Sequence, residues 1–299
     1  MERYNTLSSY LKKTFGHRLL KLSIDGGFSC PNRKNKKGGC KFCSESGSGE
    51  FTKKFPTITE QLNSQIEILK NKDTSNEYIA YFQSYTNTFL PVEKLRELYY
   101  EAINFKNVKI LSIATRADCF NDEIYDLLSE INEKVEVWIE LGLQSSNENT
   151  RKEMNIGYNL ETFKSCVLKL KELNIKTIFH IIFGLPNETE KDFKNTITYT
   201  NRFSPFGIKI HSLYIQKDSL LYQDYLNEKL KLLTQKEYID ALITAIENLD
   251  PNIIIHRLTG DGDKNKLVAP LWSKDKIKTI GEVNKILKQK NSYQGKNLN

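Results

Sequence analysis

The sequence predicts an α/β protein: a partial (βα)6 barrel of parallel strands with a short C-terminal α/β extension. Three observations carry that prediction. Strand-like apolar runs alternate with helical patterns from end to end of the 299 residues. Each helical crossover returns the chain to the same edge, so successive strands run parallel. The runs are also apolar enough to be buried on both faces, as parallel strands are. Six such units fall short of the eight that close a full barrel, so an open one is expected. Residues 1–249 are assigned to the barrel and its basic N-terminal segment, and residues 250–299 to the extension.

The elements follow in order. The first strand is expected over 19–24 (LLKLSI), running straight into a cysteine-bearing loop. A helix over 59–70 has Thr59 as its expected N-cap and Leu62, Ile66 and Leu69 on one face. The second strand is 77–83 (EYIAYFQ), and Pro91 opens the helix after it. The third strand is 108–115, followed by a helix capped by Asn121; the fourth is 135–144, followed by a helix from Asn159 that turns Phe163, Val167 and Leu170 inward. The fifth and sixth strands are 175–186 and 207–215. A helix over 234–249, a short strand over 252–258 and a lysine-rich helix near 273–289 complete the chain.

Composition narrows the function classes. With 39% hydrophobic and 27% charged residues, the chain reads as an ordinary globular protein. The N-terminus lacks the apolar run of a secretory signal, and no stretch approaches a membrane span. Five cysteines, an odd number without an export signal, argue against a disulfide framework and for a cytoplasmic location with no membrane partner. The net charge of +7 leans toward a polyanionic partner, although lysine is abundant along the whole chain.

Chemistry in parallel α/β folds gathers at the C-terminal ends of the strands. Polar residues collect there: Asp25 after the first strand, and Gln83, Ser84, Thr86 and Asn87 after the second. Thr115, Arg116 and Asp118 follow the third; Glu140, Gln144 and Ser145 lie on or after the fourth, and His211, Gln216 and Lys217 on or after the sixth. Each alone reads as ordinary loop polarity; their convergence on one rim marks a site.

The loop CPNRKNKKGGCKFC (30–43) holds three of the five cysteines. Cys40 and Cys43 form a CxxC whose thiolates can chelate one metal centre, and Gly38 and Gly39 let the chain fold back so that Cys30 joins them. A closed zinc site asks for a fourth ligand, and His17, before the strand, is badly placed for it. Three thiolates without a fourth partner match a [4Fe–4S] cubane with one open iron, so the cluster ranks above zinc on spacing. Arg33, Lys34, Lys36, Lys37 and Lys41 around the loop favour thiolate formation, or serve as solvated surface charge. Cys119 and Cys166 stand singly and read as inert buried thiols.

These motifs are similar to those of radical S-adenosylmethionine (SAM) enzymes, and more narrowly of the YhcC/YtqA-type family, whose YtqA branch is also called MnmL. The resemblance runs through DGGFSCPNR, GGCKFC and SGSGEF, then YFQSYTNTFLPVEKL, IATRADC, ELGLQS and HIIFGLPNET. It closes with GIKIHSLYIQKDS, IIIHRLTGDG, APLWS and SYQGK. It implies that Cys30, Cys40 and Cys43 hold the cluster, and that SAM chelates the open iron through its amino and carboxylate groups. One-electron reduction then yields methionine and a 5′-deoxyadenosyl radical that abstracts a substrate hydrogen. By the same resemblance Ser84 and Thr86 stand at the methionine-amino contacts, Glu140 and Gln144 at ribose or methionine contacts, and Gly184 and Pro186 beside the adenine. Where the family usually shows Asn-Arg-Gly-His, this chain reads Asn155-Ile156-Gly157-Tyr158. The cation that pairs with the SAM carboxylate is thus missing at Ile156, and Arg151 or Arg116 is expected to replace it.

The resemblance further implies a tRNA substrate. The branch converts the 5-carboxymethylaminomethyl group of the wobble (2-thio)uridine to 5-aminomethyl, a separate tRNA methyltransferase acts on the product, and an external donor such as flavodoxin or ferredoxin supplies electrons. Arg3, Lys12, Lys13, Arg18 and the lysine-rich last helix are the candidate RNA contacts, and HRLTGDG (256–262) a turn that could close over the substrate. Other readings stay open: a radical SAM enzyme with another substrate, a member of the family that has lost activity, and a non-catalytic zinc-bearing RNA-binding protein.

Overall fold

The computed structural model describes residues 2–34, 37–47, 55–72, 75–260 and 262–298. One parallel sheet of seven strands organises it. The strands are β1 (Leu20–Ile24), β2 (Tyr78–Phe82), β3 (Val108–Thr115), β4 (Glu136–Gln144), β5 (Lys176–Phe183), β6 (Gly207–Ser212) and β7 (Ile254–Arg257). They lie side by side in chain order, and every neighbouring pair is parallel. The expected partial barrel is present, with one addition. The short strand of the C-terminal extension joins the same sheet, with Ile254 paired to Gly207 and Arg257 to Lys209.

The helices are α1 (Leu7–Phe15), α2 (Ile58–Leu69), α3 (Val92–Asn104), α4 (Asp122–Asn132), α5 (Leu160–Glu172), α6 (Glu190–Asn201), α7 (Gln235–Asn248) and α8 (Lys276–Gln289). Two shorter helices span Glu148–Glu153 and Leu221–Leu226. The crossover helices bury apolar stripes against the strands. Phe163, Val167 and Leu170 of α5 are all buried, and Phe163 meets Phe179 of β5 edge-on at 4.8 Å.

The caps explain the helix starts. Asn121 accepts the Ile124 N–H at 2.9 Å and Asn159 that of Thr162 at 2.9 Å, both as expected. The cap of α2 is Thr57, not Thr59. Thr57 accepts the Glu60 N–H at 3.1 Å while Glu60 accepts the Thr57 N–H at 3.1 Å, a reciprocal capping box. Thr59 already lies inside the helix, its N–H taken by Glu101 at 2.8 Å.

The helix α1 was not anticipated, and it closes the end of the barrel opposite the strand C-termini. Its Leu11 packs with Leu19, Ile79, Ile110, Trp138 and Ile178, all near the starts of their strands. With its own end plugged by apolar packing, the barrel opens at the C-terminal end of the strands. No helix among the described residues is long and apolar enough to cross a membrane.

Replacing Asn121 with Ala removes one cap bond from an exposed helix start. It is expected to cost about 1 kcal/mol of stability, read as a lower urea midpoint with an unchanged slope.

Candidate functional site

The cysteine loop leaves β1 and is folded back by Gly38 and Gly39, whose φ angles are +81° and +105°. A β-carbon on Gly39 would also stand 3.0 Å from Arg33 Nε, so conformation and space both call for glycine there. The Cys43 N–H donates to the Cys40 carbonyl at 3.0 Å, closing the CxxC turn, and the Arg33 N–H to the Cys30 carbonyl at 2.9 Å. The loop is then tied to the segment after β4. The Lys41 N–H donates to the Met154 carbonyl at 3.0 Å, Asn155 Nδ2 to the Gly39 carbonyl at 2.8 Å, and Asn32 Nδ2 to the Cys40 sulfur at 3.5 Å. Lys36 and residues 48–51 of SGSGEF lie outside the described residues.

Cys30, Cys40 and Cys43 are half-buried free thiols lining one wall of a cavity of about 220 Å³. A hydrogen bond from the Cys43 thiol lowers Cys40 to about 7 against the effect of burial, with Arg116, Asn32 and Arg33 helping; the same bond and burial push Cys43 up. Cys119 and Cys166 are buried, and burial raises both thiols to about 12, as inert cysteines should be. No group of three or more His, Cys, Asp or Glu among the described residues converges on a single ion. A cubane takes each thiolate on a separate iron, so three thiols around one wall, in a partly basic setting, fit its donor set.

Of the other expected site residues, Thr86, Arg116, Glu140 and Gln144 line the same cavity. Ser84 is buried and off the wall. Gly184 follows β5 with φ +88°, packed against Leu233; Ile182, two residues earlier, lines the cavity in its place. Gln144, at the end of β4, is held at φ +64°, a left-handed backbone rare for its type and common where side chains are aimed at ligands.

The two arginines expected to replace the missing cation are placed differently. Ile156 lines the cavity as an apolar group. Arg151 is 1% exposed and donates to the carbonyls of Leu143, Ser145 and Tyr158, the last at 2.8 Å. It does not reach the cavity wall. Arg116 does, clamped by Asp118 through two bonds of 2.9 and 2.8 Å and laid on the Tyr158 ring at 4.9 Å.

Below this rim lies a buried charge cluster that the sequence reading did not assemble. The Glu140 carboxylate accepts from Lys21 at 3.1 Å, Tyr81 at 3.1 Å, Ser112 at 2.8 Å, His180 at 2.7 Å and Lys209. Burial alone would raise it, but Lys209, Lys21 and His180 outweigh burial and hold it well below the usual carboxylate range. Burial, then Lys209, lowers His180 to about 4, so its ring is neutral near neutrality. Burial also pulls Lys209 down, against the attraction of Glu140. The signal was present: Lys21, Glu140 and Lys209 each interrupt an apolar strand, and a charge there must face the barrel interior.

The candidate RNA segments fall elsewhere. Arg3 donates to Asn291 at 2.8 Å and its carbonyl accepts the Gln294 N–H at 2.9 Å, so the N-terminal segment meets the end of α8. Lys12, Lys13 and Arg18 are exposed, as are Lys278, Lys285 and Lys288 of α8. Residues 7–15 sit at the plugged end of the barrel, away from the cavity mouth. In the 256–262 turn, of which Asp261 lies outside the described residues, His256 is wedged beside Trp138 at 5.3 Å while Arg257 lines the cavity.

An open parallel α/β barrel with three free thiols and several charged side chains lining one cavity is an architecture suited to holding a thiolate-bound cluster beside a substrate. The chain belongs to the radical SAM superfamily: residues 29–200 match the model of that superfamily, and residues 205–289 that of the radical SAM C-terminal domain. It is therefore an enzyme that works with a [4Fe–4S] cluster and SAM. It is 39% identical to the uncharacterized protein YtqA of Bacillus subtilis over 99% of this chain and 92% of that one. To YhcC of Escherichia coli it is 31% identical over 95% and 92%. A probable threonylcarbamoyladenosine tRNA methylthiotransferase of Methanocaldococcus jannaschii is 32% identical over 38% of this chain and 27% of its own. Among solved structures, Elp3 of the archaeon Methanocaldococcus infernus shares the fold, with a TM-score of 0.72 at 16% identity over 92% of this chain. The chain spans 64% of that Elp3.

Alanine at Cys30, Cys40 or Cys43 is expected to abolish cluster loading, measured as bound iron and sulfide, whereas Cys119→Ala retains it. Lys209→Met leaves the buried Glu140 charge without its closest cation and should cost about 3–5 kcal/mol in urea unfolding. Because the folded-state carboxyl lies below its unfolded value, Glu140 contributes stability at neutral pH that is lost as pH falls through the folded value. Glu140→Gln should flatten that acid limb.

Proposed function

We propose that this radical SAM enzyme acts on the wobble uridine of tRNA, converting 5-carboxymethylaminomethyl-(2-thio)uridine to 5-aminomethyl-(2-thio)uridine. The observation that carries this reading is the likeness to YtqA over 99% of this chain and 92% of that one, to which the family resemblance assigns that substrate, combined with a cavity lined by the three loop cysteines. The tRNA-modifying name of the methylthiotransferase relative and the net charge of +7 support an RNA partner. An external flavodoxin- or ferredoxin-like donor supplies electrons, and a tRNA methyltransferase completes the modification.

Cys30, Cys40 and Cys43 would hold the cluster, which with SAM supplies one-electron cleavage to a 5′-deoxyadenosyl radical. The chain's own residues bind, orient and exclude water. Thr86 and Gln144 offer hydrogen bonds on the cavity wall, and Ser84 backs the same loop. Arg116, fixed by Asp118 and Tyr158, offers a charge for the SAM carboxylate in place of the residue missing at Ile156. Arg151 supports the wall through three carbonyls. Glu140 fixes the barrel floor through Lys21, His180 and Lys209, and Gly184 shapes the turn after β5. The α1 lysines lie at the plugged end, so Arg33, which lines the cavity, is the better-placed cation for RNA.

The test is anaerobic turnover with the reconstituted, reduced enzyme, SAM and tRNA from cells lacking it. Mass spectrometry is expected to show 5′-deoxyadenosine together with loss of 5-carboxymethylaminomethyluridine and gain of 5-aminomethyluridine. Deoxyadenosine with unchanged nucleosides would sink the substrate. Arg116→Gln should raise the KM for SAM by roughly 10–100-fold, the scale of losing a charge-assisted bond of about 1.5–3 kcal/mol.

A further inference from the structure

Pro31 and Asn32 form the middle of a turn that the Arg33 N–H closes on the Cys30 carbonyl at 2.9 Å. The turn brings the half-buried Asn32 side chain against two acceptors. Its Nδ2 donates to the Asn155 carbonyl at 2.5 Å and to the Cys40 sulfur at 3.5 Å. An amide nitrogen carries two hydrogens, so it can serve both at once. The oxygen side of the same amide is confined as well. A β-carbon on Gly157 would stand 2.7 Å from Asn32 Oδ1 and 3.0 Å from Arg116 Nη2. Gly157 is not among the glycines in left-handed backbone, so space and not conformation calls for glycine there. Asn155 ties the loop in another way: its Nδ2 donates to the Gly39 carbonyl at 2.8 Å, a bond that involves no sulfur.

We propose that Asn32 is a positioning residue that tunes the cluster: its amide N–H, held on the Cys40 sulfur, raises the potential at which the cluster accepts an electron. A donor aimed at a ligating thiolate draws negative charge toward itself. The reduced cluster, with one electron more, gains more from that bond than the oxidised one. No atom is transferred, and the electron comes from the external flavodoxin- or ferredoxin-like donor already named. The inference rests on the assignment of Cys40 as a cluster ligand.

The experiment uses the full chain, reconstituted anaerobically with iron and sulfide, without SAM. Reduction of the cluster is followed by electron paramagnetic resonance at a series of set potentials. Asn32→Leu keeps the shape of the side chain and removes the donor. It is expected to lower the ratio of reduced to oxidised cluster roughly 10-fold at a fixed potential, a shift of about 59 mV for one electron. Asn155→Ala removes the tie to Gly39 but keeps the backbone carbonyl that Asn32 binds, and is expected to hold the potential of the unaltered protein. An equal fall in both variants would make Asn32 a loop anchor only and overturn the proposal, as would an unmoved potential in Asn32→Leu. Bound iron and sulfide keep the two readings apart. An unaltered chain that takes up no cluster overturns the ligand assignment, whereas a loaded cluster with an unmoved potential overturns the tuning alone. Should Asn32→Leu fail to load, the bond is tested without altering Asn32. With nitrogen-15 in the asparagine side-chain amides, pulsed electron paramagnetic resonance of the reduced cluster is expected to show a nitrogen-15 coupling that persists in Asn155→Ala. Its absence would refute the N–H···S bond.

Discussion

The architecture depends on one buried carboxylate. Glu140 sits mid-strand in β4 and binds side chains from β1, β2, β3, β5 and β6. An ionised group in such a place carries a desolvation cost that is offset only when it is surrounded by cations and donors. Lys21, Lys209, His180, Tyr81 and Ser112 meet that condition together, and to do so the sheet must curve until six strands face one point. The same curvature creates the cavity above. A barrel of purely apolar interior would satisfy packing equally well, so the charged floor is better read as a specification of the cavity's shape and field than as a gain in stability.

The mouth of the cavity is set by a second constraint. The cysteine loop has little regular structure of its own, and its position comes from bonds to residues 154–155 and from two glycines in left-handed backbone. The departure from the family pattern falls in this tie. Asn155 keeps the loop in place, Ile156 presents an apolar group to the cavity, and Tyr158 takes Arg116 on its ring face. Anchoring of the loop and the cation at this wall thus come from different segments, since Arg116 follows β3.

Much of this was legible in the sequence. Six strands of the barrel, the caps at Asn121 and Asn159, the gathering of the three loop cysteines and the rim positions Thr86, Arg116 and Gln144 follow from period, spacing and turn chemistry. What escaped depends on long-range meetings. The plug helix α1 carries an apolar stripe of Leu7, Tyr10, Leu11 and Phe15 behind the Thr6 cap that was legible and was passed over; what the sequence did not show is the five positions near the strand starts that it packs against. The displaced cap at Thr57 turned on Glu60 reaching back to it. Arg151 looked like a substitute cation because sequence shows its charge and not the three carbonyls that hold it. The joining of β7 to the sheet was hidden by the long connection that separates it from β6.

If three thiols hold a cluster whose fourth iron is open to SAM, Mössbauer spectroscopy of the iron-57-reconstituted chain, recorded without and with SAM, will show it. One iron of the four is expected to become distinct and shift when SAM is added, while the other three are unchanged. Four irons that stay equivalent with SAM present, or a protein that takes up zinc in place of the cluster, would contradict it.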